Sequence, residues 1–183
     1  MGRFDGILGW FGKRKPVGPA HSEQPLSPDT AKLISGSARD GLAMLGLDES
    51  SSPQTVIDSL DAFVDAVQHG ERLLPDGIDK DDLPYICGSL WGEQLARQFG
   101  WQWATVTFHR HGDTQAPGIL SPDRKAAIYP IHFLIGCFRD PGVDCTIALC
   151  FNLLVADKMS DLKVSDQTYI NLMDRVGRIV PRR

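Results

Sequence analysis

Two groups of side chains in this 183-residue chain are of types that could do chemistry or bind a charged partner. The first is the run His109-Arg110-His111-Gly112-Asp113, which ends a predicted strand. Histidines two residues apart lie on one face of a strand and can share a metal ion. No further ligand follows at a recognisable spacing, so we expect no metal. We assign three residues of the run to binding of a protein partner: His109, His111 and Asp113.

The second group is a cluster of carboxylates in the loop over residues 71–82, where Pro75 and Gly77 break regular structure. An acidic edge attracts a basic protein, speeds its capture and makes the association sensitive to salt. The loop is therefore the second predicted binding site, through four aspartates: Asp76, Asp79, Asp81 and Asp82.

A small metal- or cysteine-dependent enzyme is the alternative to a binding protein. It would use the histidine run together with Cys137, with His132 or Cys145 completing a metal site. A nucleophilic cysteine needs a lowered pKa in a partly exposed, electropositive place, but all four cysteines lie in apolar sequence. The chain also lacks a Gly-x-Ser-x-Gly motif and a phosphate-binding loop. We therefore predict reduced core thiols, no cofactor and no catalytic residue, and favour a binding protein over an enzyme.

Glu93 is the carboxylate most embedded in apolar sequence. It lies on a predicted helix from about Asp81 to Phe99, four residues before Arg97. Small residues four apart, Gly88, Gly92 and Ala96, form a stripe that lets a neighbouring element come close. We interpret Glu93 as a tie between this helix and the following strand rather than as a site carboxylate.

Composition excludes several classes of protein. The formal net charge is −4 and the pI is about 5.7, so the basic surface of a nucleic-acid-binding protein is not expected. No apolar stretch approaches the length of a membrane-spanning helix, and no secretory signal is recognised at the N-terminus. We predict a cytoplasmic protein with reduced cysteines.

The apolar and aromatic positions predict an α+β fold. Residues 1–26 form a tail, and residues 27–183 form one domain. Ser27-Pro28 and Ser52-Pro53 each begin a helix, and these two helices form an N-terminal hairpin. A third helix precedes a three-stranded antiparallel meander at residues 101–111, 118–120 and 126–129. C-terminal helices follow at 131–139 and 165–178, whereas residues 144–157 fit a helix or a buried strand.

The N-terminal tail raises a third possibility. Its apolar side chains over residues 4–11 are followed by the basic cluster Lys13 to Lys15. Such a segment can hold a protein weakly on a membrane surface. A membrane-peripheral adaptor, anchored by residues 4–15, is therefore a further alternative.

Three segments carry a resemblance to known sequences: Cys87 to Glu93, Gly100 to Trp103, and Ala127 to Pro130. Over residues 80–140 the chain resembles a family of small bacterial domains of uncharacterised function. These have a Gly-Glu helix, a Trp-bearing strand and a hydrophobic strand that ends in proline. The resemblance implies a bacterial source and, by analogy, an immunity or adaptor protein encoded near a toxin. A toxin-neutralising protein with a basic toxin as its partner is the expectation that follows.

Overall fold

The two N-terminal helices begin where a serine precedes a proline. In the computed structural model, which describes residues 20–159 and 169–176, α1 spans Pro28–Met44 and α2 spans Pro53–Gln68. The Ser27 and Ser52 hydroxyls each accept a hydrogen bond of 3.1 Å from the backbone N–H three residues later. Proline fits the first helical position because no intrahelical partner is needed there. Both predicted helix starts are confirmed.

The third helix, α3 (Leu83–Phe99), is the centre of the fold. It ends at Gly100, whose φ of 68° is the left-handed conformation that glycine adopts without strain. Its buried residues lie on nearly all sides, so several elements can pack on it at once. Both α1 and α2 pack against α3. The predicted N-terminal hairpin is therefore wrong, because the common partner of the two helices is α3.

Three shorter helices follow: α4 (Pro130–Arg139), α5 (Ile147–Val155) and α6 (Leu172–Val176). The helix predicted at 131–139 is confirmed, and α5 settles residues 144–157 as partly helical. The stripe of small residues on α3 has the predicted effect at Gly88. A Cβ added there would lie 2.7 Å from the Ile131 backbone, so only glycine lets α4 come so close.

The sheet has five strands in the order β1-β2-β3-β4-β5. Their bounds are β1 His21–Pro25, β2 Gln102–Phe108, β3 Thr114–Leu120, β4 Ala126–Ile128 and β5 Ile170–Asn171. Strands β1 to β4 pair with one another in antiparallel fashion, and β5 pairs with β4 in parallel. The predicted meander is the central part of this sheet.

The sheet has five strands where three were predicted, because neither edge strand shows an alternating apolar pattern that would mark it. The β1 segment, placed in the tail by the sequence, has no aliphatic side chain and is held by its register with β2. The β5 strand is two residues long and occupies part of the predicted helix 165–178. Of that helix, the structure describes residues 169–176 and places α6 within them.

The two faces of the sheet bury different cores. Trp101 and Ile119 belong to the main core, and the partly buried Trp103 packs against it. The opposite face forms a second, smaller core. It is made by Ala104, Val106, Leu120 and Ala127, with Phe108, Tyr129 and Tyr169 packed on them.

The second core is enclosed because the sheet curls. In a flat sheet of five strands the two edges would be about 19 Å apart. Here the His21 ring on β1 and the Tyr169 ring beside β5 have centroids only 4.1 Å apart. The Tyr169 hydroxyl also donates a hydrogen bond to the Glu23 carboxylate. The two edges therefore meet over the second core.

Two predictions concern membranes and the tail. None of the helices within the described ranges is long and apolar enough to cross a bilayer. Residues 4–15, the proposed surface anchor, lie outside the described residues.

Candidate functional site

A groove of about 720 Å³ opens at one end of the second core. Its apolar lining is buried or half-buried and comes from four different elements or their ends, through Phe108, Tyr129, Phe133 and Met173. Its polar lining is mostly exposed and includes His111, Thr114, His132 and Asp174. An apolar interior with a few polar groups at the opening is the usual make-up of a binding pocket, and its volume lies within the usual range.

The groove depends on the curl of the sheet, because His21 and Tyr169 from opposite edges both line it. Burial lowers the pKa of His21, which keeps its imidazole neutral against the Tyr169 ring. Burial, followed by the hydrogen bond to Glu23, raises the pKa of the Tyr169 hydroxyl, so the phenol stays protonated and donates. Both side chains are thus held in their uncharged forms where the edges meet.

The predicted binding residues at the end of β2 are divided by a turn. Strand β2 stops at Phe108, and His109–His111 form a single 3-10 turn. Residues two apart point in different directions in such a turn, since it has three residues per revolution. His111 lines the groove, whereas His109 contacts Ser22 and Asp113. The expectation of two imidazoles on one face is therefore wrong.

His109 lies at the centre of a short chain of hydrogen bonds. Its Nδ1 is 2.6 Å from the Asp113 Oδ1, and its Nε2 is 3.0 Å from the Ser22 Oγ. An ionised carboxylate only accepts hydrogen bonds, so Nδ1 carries the proton. In the neutral ring Nε2 is then free to accept the Ser22 O–H. With the ring neutral, the hydroxyl therefore donates to the imidazole and the imidazole to the carboxylate.

The aspartate loop lies apart from this turn. All four of its aspartates, Asp76, Asp79, Asp81 and Asp82, are exposed. Asp79 accepts a hydrogen bond from the Asp81 N–H at 3.0 Å, and Leu74 and Ile78 anchor the loop on the main core. Leu73 points away from the core and is 91% exposed. The loop therefore presents carboxylates beside a bare aliphatic side chain.

Glu93 ties α3 to the sheet, as predicted. Its carboxylate accepts a hydrogen bond of 2.9 Å from the Trp103 Nε1. Arg97, four residues after Glu93, donates to the Gln94 side chain and to the Glu49 and Ser51 carbonyls. Gly92 makes room for the Trp103 ring. At this position the stripe of small residues lets a side chain come close to α3, whereas at Gly88 it lets a backbone come close.

The four cysteines are free thiols with little nucleophilic character. Burial raises the pKa of Cys87, Cys137 and Cys150 to about 12 in each case. Burial, followed by the nearby Asp61 carboxylate, also raises the pKa of Cys145. In the ranges 20–159 and 169–176, no three His, Cys, Asp or Glu side chains come together as a metal site. The geometry therefore gives no support to the metal- or cysteine-dependent alternative.

We expect iodoacetamide at pH 7 to alkylate the native thiols at least about a thousandfold more slowly than an ordinary exposed cysteine. The reason is that a pKa near 12 leaves so little thiolate. In about 8 M urea, which unfolds most small domains, all of them should react rapidly. Mass spectrometry of timed samples measures both rates. A thiol that reacts rapidly in the folded protein would contradict the burial described here.

Sequence reasoning missed Ser22, Tyr169 and most of the groove lining. Ser22 lies in a polar edge strand, and 87 residues separate it from His109. Tyr169 reaches the groove only because the sheet curls. No local pattern signals either contact. The histidine run was the one usable indication, since His111 does line the groove.

No protein-family model, curated protein or solved structure matches the chain. The likeness to small bacterial domains therefore depends on the three segments quoted above and stays a prediction. The fold and the site together define the class of protein: an α+β domain with an open groove beside a curled sheet.

Proposed function

We propose that this protein is a protein-binding module and that the groove receives a segment of its partner. The observation that carries the proposal is the make-up of the groove. Phe108, Tyr129 and Phe133 offer aromatic contacts that a partner's apolar side chain could use. His111 and Thr114 lie exposed at its opening, where the His111 imidazole and the Thr114 hydroxyl, which donates to the His111 carbonyl at 2.7 Å, can still accept from such a segment.

The aspartate loop supports a partner of positive charge. Its four exposed carboxylates contribute to the net charge of −4, and exposed charges of one sign raise the rate of encounter with the opposite sign. The bare Leu73 adds apolar area beside them. A basic toxin, neutralised in the cytoplasm of a bacterium by this protein, fits both features and is the specific form of the proposal.

The proposal is tested with the product of the neighbouring gene as the binding partner. We expect Thr114→Arg to weaken binding at least tenfold, because a long charged side chain at the opening obstructs the groove. Leu33→Arg is the matched control, since Leu33 lies on α1 and is 70% exposed. Isothermal titration calorimetry measures both dissociation constants. Equal affinities for the two variants, or no binding by the unaltered protein, would refute the proposal.

A second measurement separates the loop from the groove. Replacing the four loop aspartates by asparagine should lower the association rate and its salt dependence, while dissociation stays nearly unchanged. The matched control changes a single charge in each place: Asp79→Asn in the loop is compared with Asp40→Asn, at an exposed aspartate on α1. Stopped-flow kinetics at two salt concentrations distinguish these cases. An unchanged association rate would exclude the loop from the encounter.

A further inference from the structure

We propose that Ser22 is a nucleophile toward activated acyl and phosphonyl compounds, with His109 as its general base and Asp113 as the residue that orients His109. This is an activity beyond protein binding, and it rests on contacts that the groove does not use. The Ser22 Oγ lies 3.0 Å from the His109 Nε2, and the His109 Nδ1 lies 2.6 Å from the Asp113 carboxylate. Both distances are those of direct hydrogen bonds.

The backbone holds the three side chains in place from separate directions. Ser22 is paired with Thr107 in the β1–β2 register, and the His109 N–H donates to the Ala20 carbonyl at 3.1 Å. Gly112 and Asp113 then follow with φ of 68° and 58°. Two successive left-handed residues reverse the chain and bring the Asp113 carboxylate back to His109. Left-handed backbone is uncommon outside glycine, although aspartate tolerates it better than most residues.

The hydrogen-bond order is the one that base-assisted attack by a hydroxyl requires. The Ser22 oxygen would bond to the carbonyl carbon or phosphorus while its proton passes to the His109 Nε2. The resulting imidazolium keeps its Nδ1 proton on Asp113, whose negative charge stabilises it. With a fluorophosphonate the P–F bond breaks and fluoride leaves. With an activated ester the leaving group departs as the phenolate, and water later hydrolyses the acyl-serine.

The exposure of the site sets the expected size of the effect. The side chains of His109 and Asp113 are 38% and 73% exposed, so water competes for their hydrogen bonds. We therefore expect the base to accelerate attack by about a hundredfold, the lower end of the usual range for general-base catalysis.

The test is the rate at which an alkyl fluorophosphonate labels the full chain, with the adduct located by peptide mass spectrometry. The expected result is an adduct on Ser22 that is lost in Ser22→Ala and forms about a hundredfold more slowly in His109→Gln. Asp113→Asn should also slow the reaction, because an amide can donate to Nδ1 and leave Nε2 protonated. Ser35→Ala, at an exposed serine on α1, should label like the unaltered protein. Labelling of Ser22 at an equal rate in His109→Gln, or no labelling of Ser22, would overturn the proposal.

A second variant gives a readout that does not depend on the serine. In Ser22→Cys the new thiol lies beside His109, so it should react with iodoacetamide faster than the thiol of Ser35→Cys. The native thiols react too slowly to interfere. Equal rates for the two variants would show that His109 does not activate the group at position 22.

Discussion

Replacing Gly92 by alanine should destabilise the protein by about 3 kcal/mol, since overpacking a well-packed core typically costs 1–3 kcal/mol and more where nothing can move. A Cβ at this position would lie 2.0 Å from the Cζ2 of Trp103. The indole has little freedom to move, because Glu93 accepts its N–H. The gain in helix propensity, roughly 1 kcal/mol, is too small to offset the clash.

Gly36→Ala is the matched control. Gly36 also lies inside a helix, but nothing lies within 4 Å of a Cβ built there. That substitution should stabilise the protein by roughly 0.5–1 kcal/mol through helix propensity alone. Urea unfolding followed by circular dichroism gives the free energy of unfolding of each variant. If Gly92→Ala raised the free energy of unfolding as Gly36→Ala is expected to do, the close contact between α3 and Trp103 would be disproved.

Replacing Trp91 by alanine should cost about 3–5 kcal/mol, the range for removing a buried aromatic side chain. Trp91 is fully buried in the main core, with its ring edge against Phe133 at a centroid distance of 5.6 Å. Truncation would leave a large cavity beneath α4. Because Phe133 also lines the groove, the same variant should lower the affinity for any ligand that binds there.

The variant Trp91→Phe separates two effects on stability: the loss of side-chain volume and the removal of the indole N–H. The Trp91 Nε1 is buried and has no hydrogen-bond partner among the described residues. A donor left unsatisfied costs about 1–3 kcal/mol, so removing it offsets much of the lost volume. We expect a net loss near 1 kcal/mol, well below that of the alanine variant. Chemical denaturation measures both, and equal losses would imply that the indole N–H is satisfied in solution.

Much of the helical structure could be predicted from the sequence because its signals are local. Ser27 and Ser52 cap the helices that begin at the next residue, each by accepting from the N–H three residues later. Gly100 ends α3 where a left-handed residue is needed. The contact of Glu93 with the following strand could also be predicted, since a carboxylate in apolar sequence needs a nearby partner. Its actual partner, Trp103, lies only ten residues further along the chain.

The candidate site was less predictable because it is built by long-range contacts. The β1 strand is polar and held through its backbone, so no hydrophobic pattern marks it. The predicted binding residues are exposed, and their role in binding stays a prediction. Sequence spacing could not show that a 3-10 turn separates His109 from His111. The groove exists only when the edges of the sheet meet, and no local rule describes that event.

The contact between those edges has a consequence for how the chain assembles. Glu23 and Tyr169 are 146 residues apart in sequence, so their hydrogen bond closes nearly the whole described chain into a loop. Contacts of such long separation form late in folding, because the entropy of closing the loop is lost before the contact stabilises anything. On a ribosome, the first strand emerges long before the tyrosine that completes its surroundings. A nascent chain, or a fragment cut before residue 169, therefore leaves the second core open until the last segment arrives.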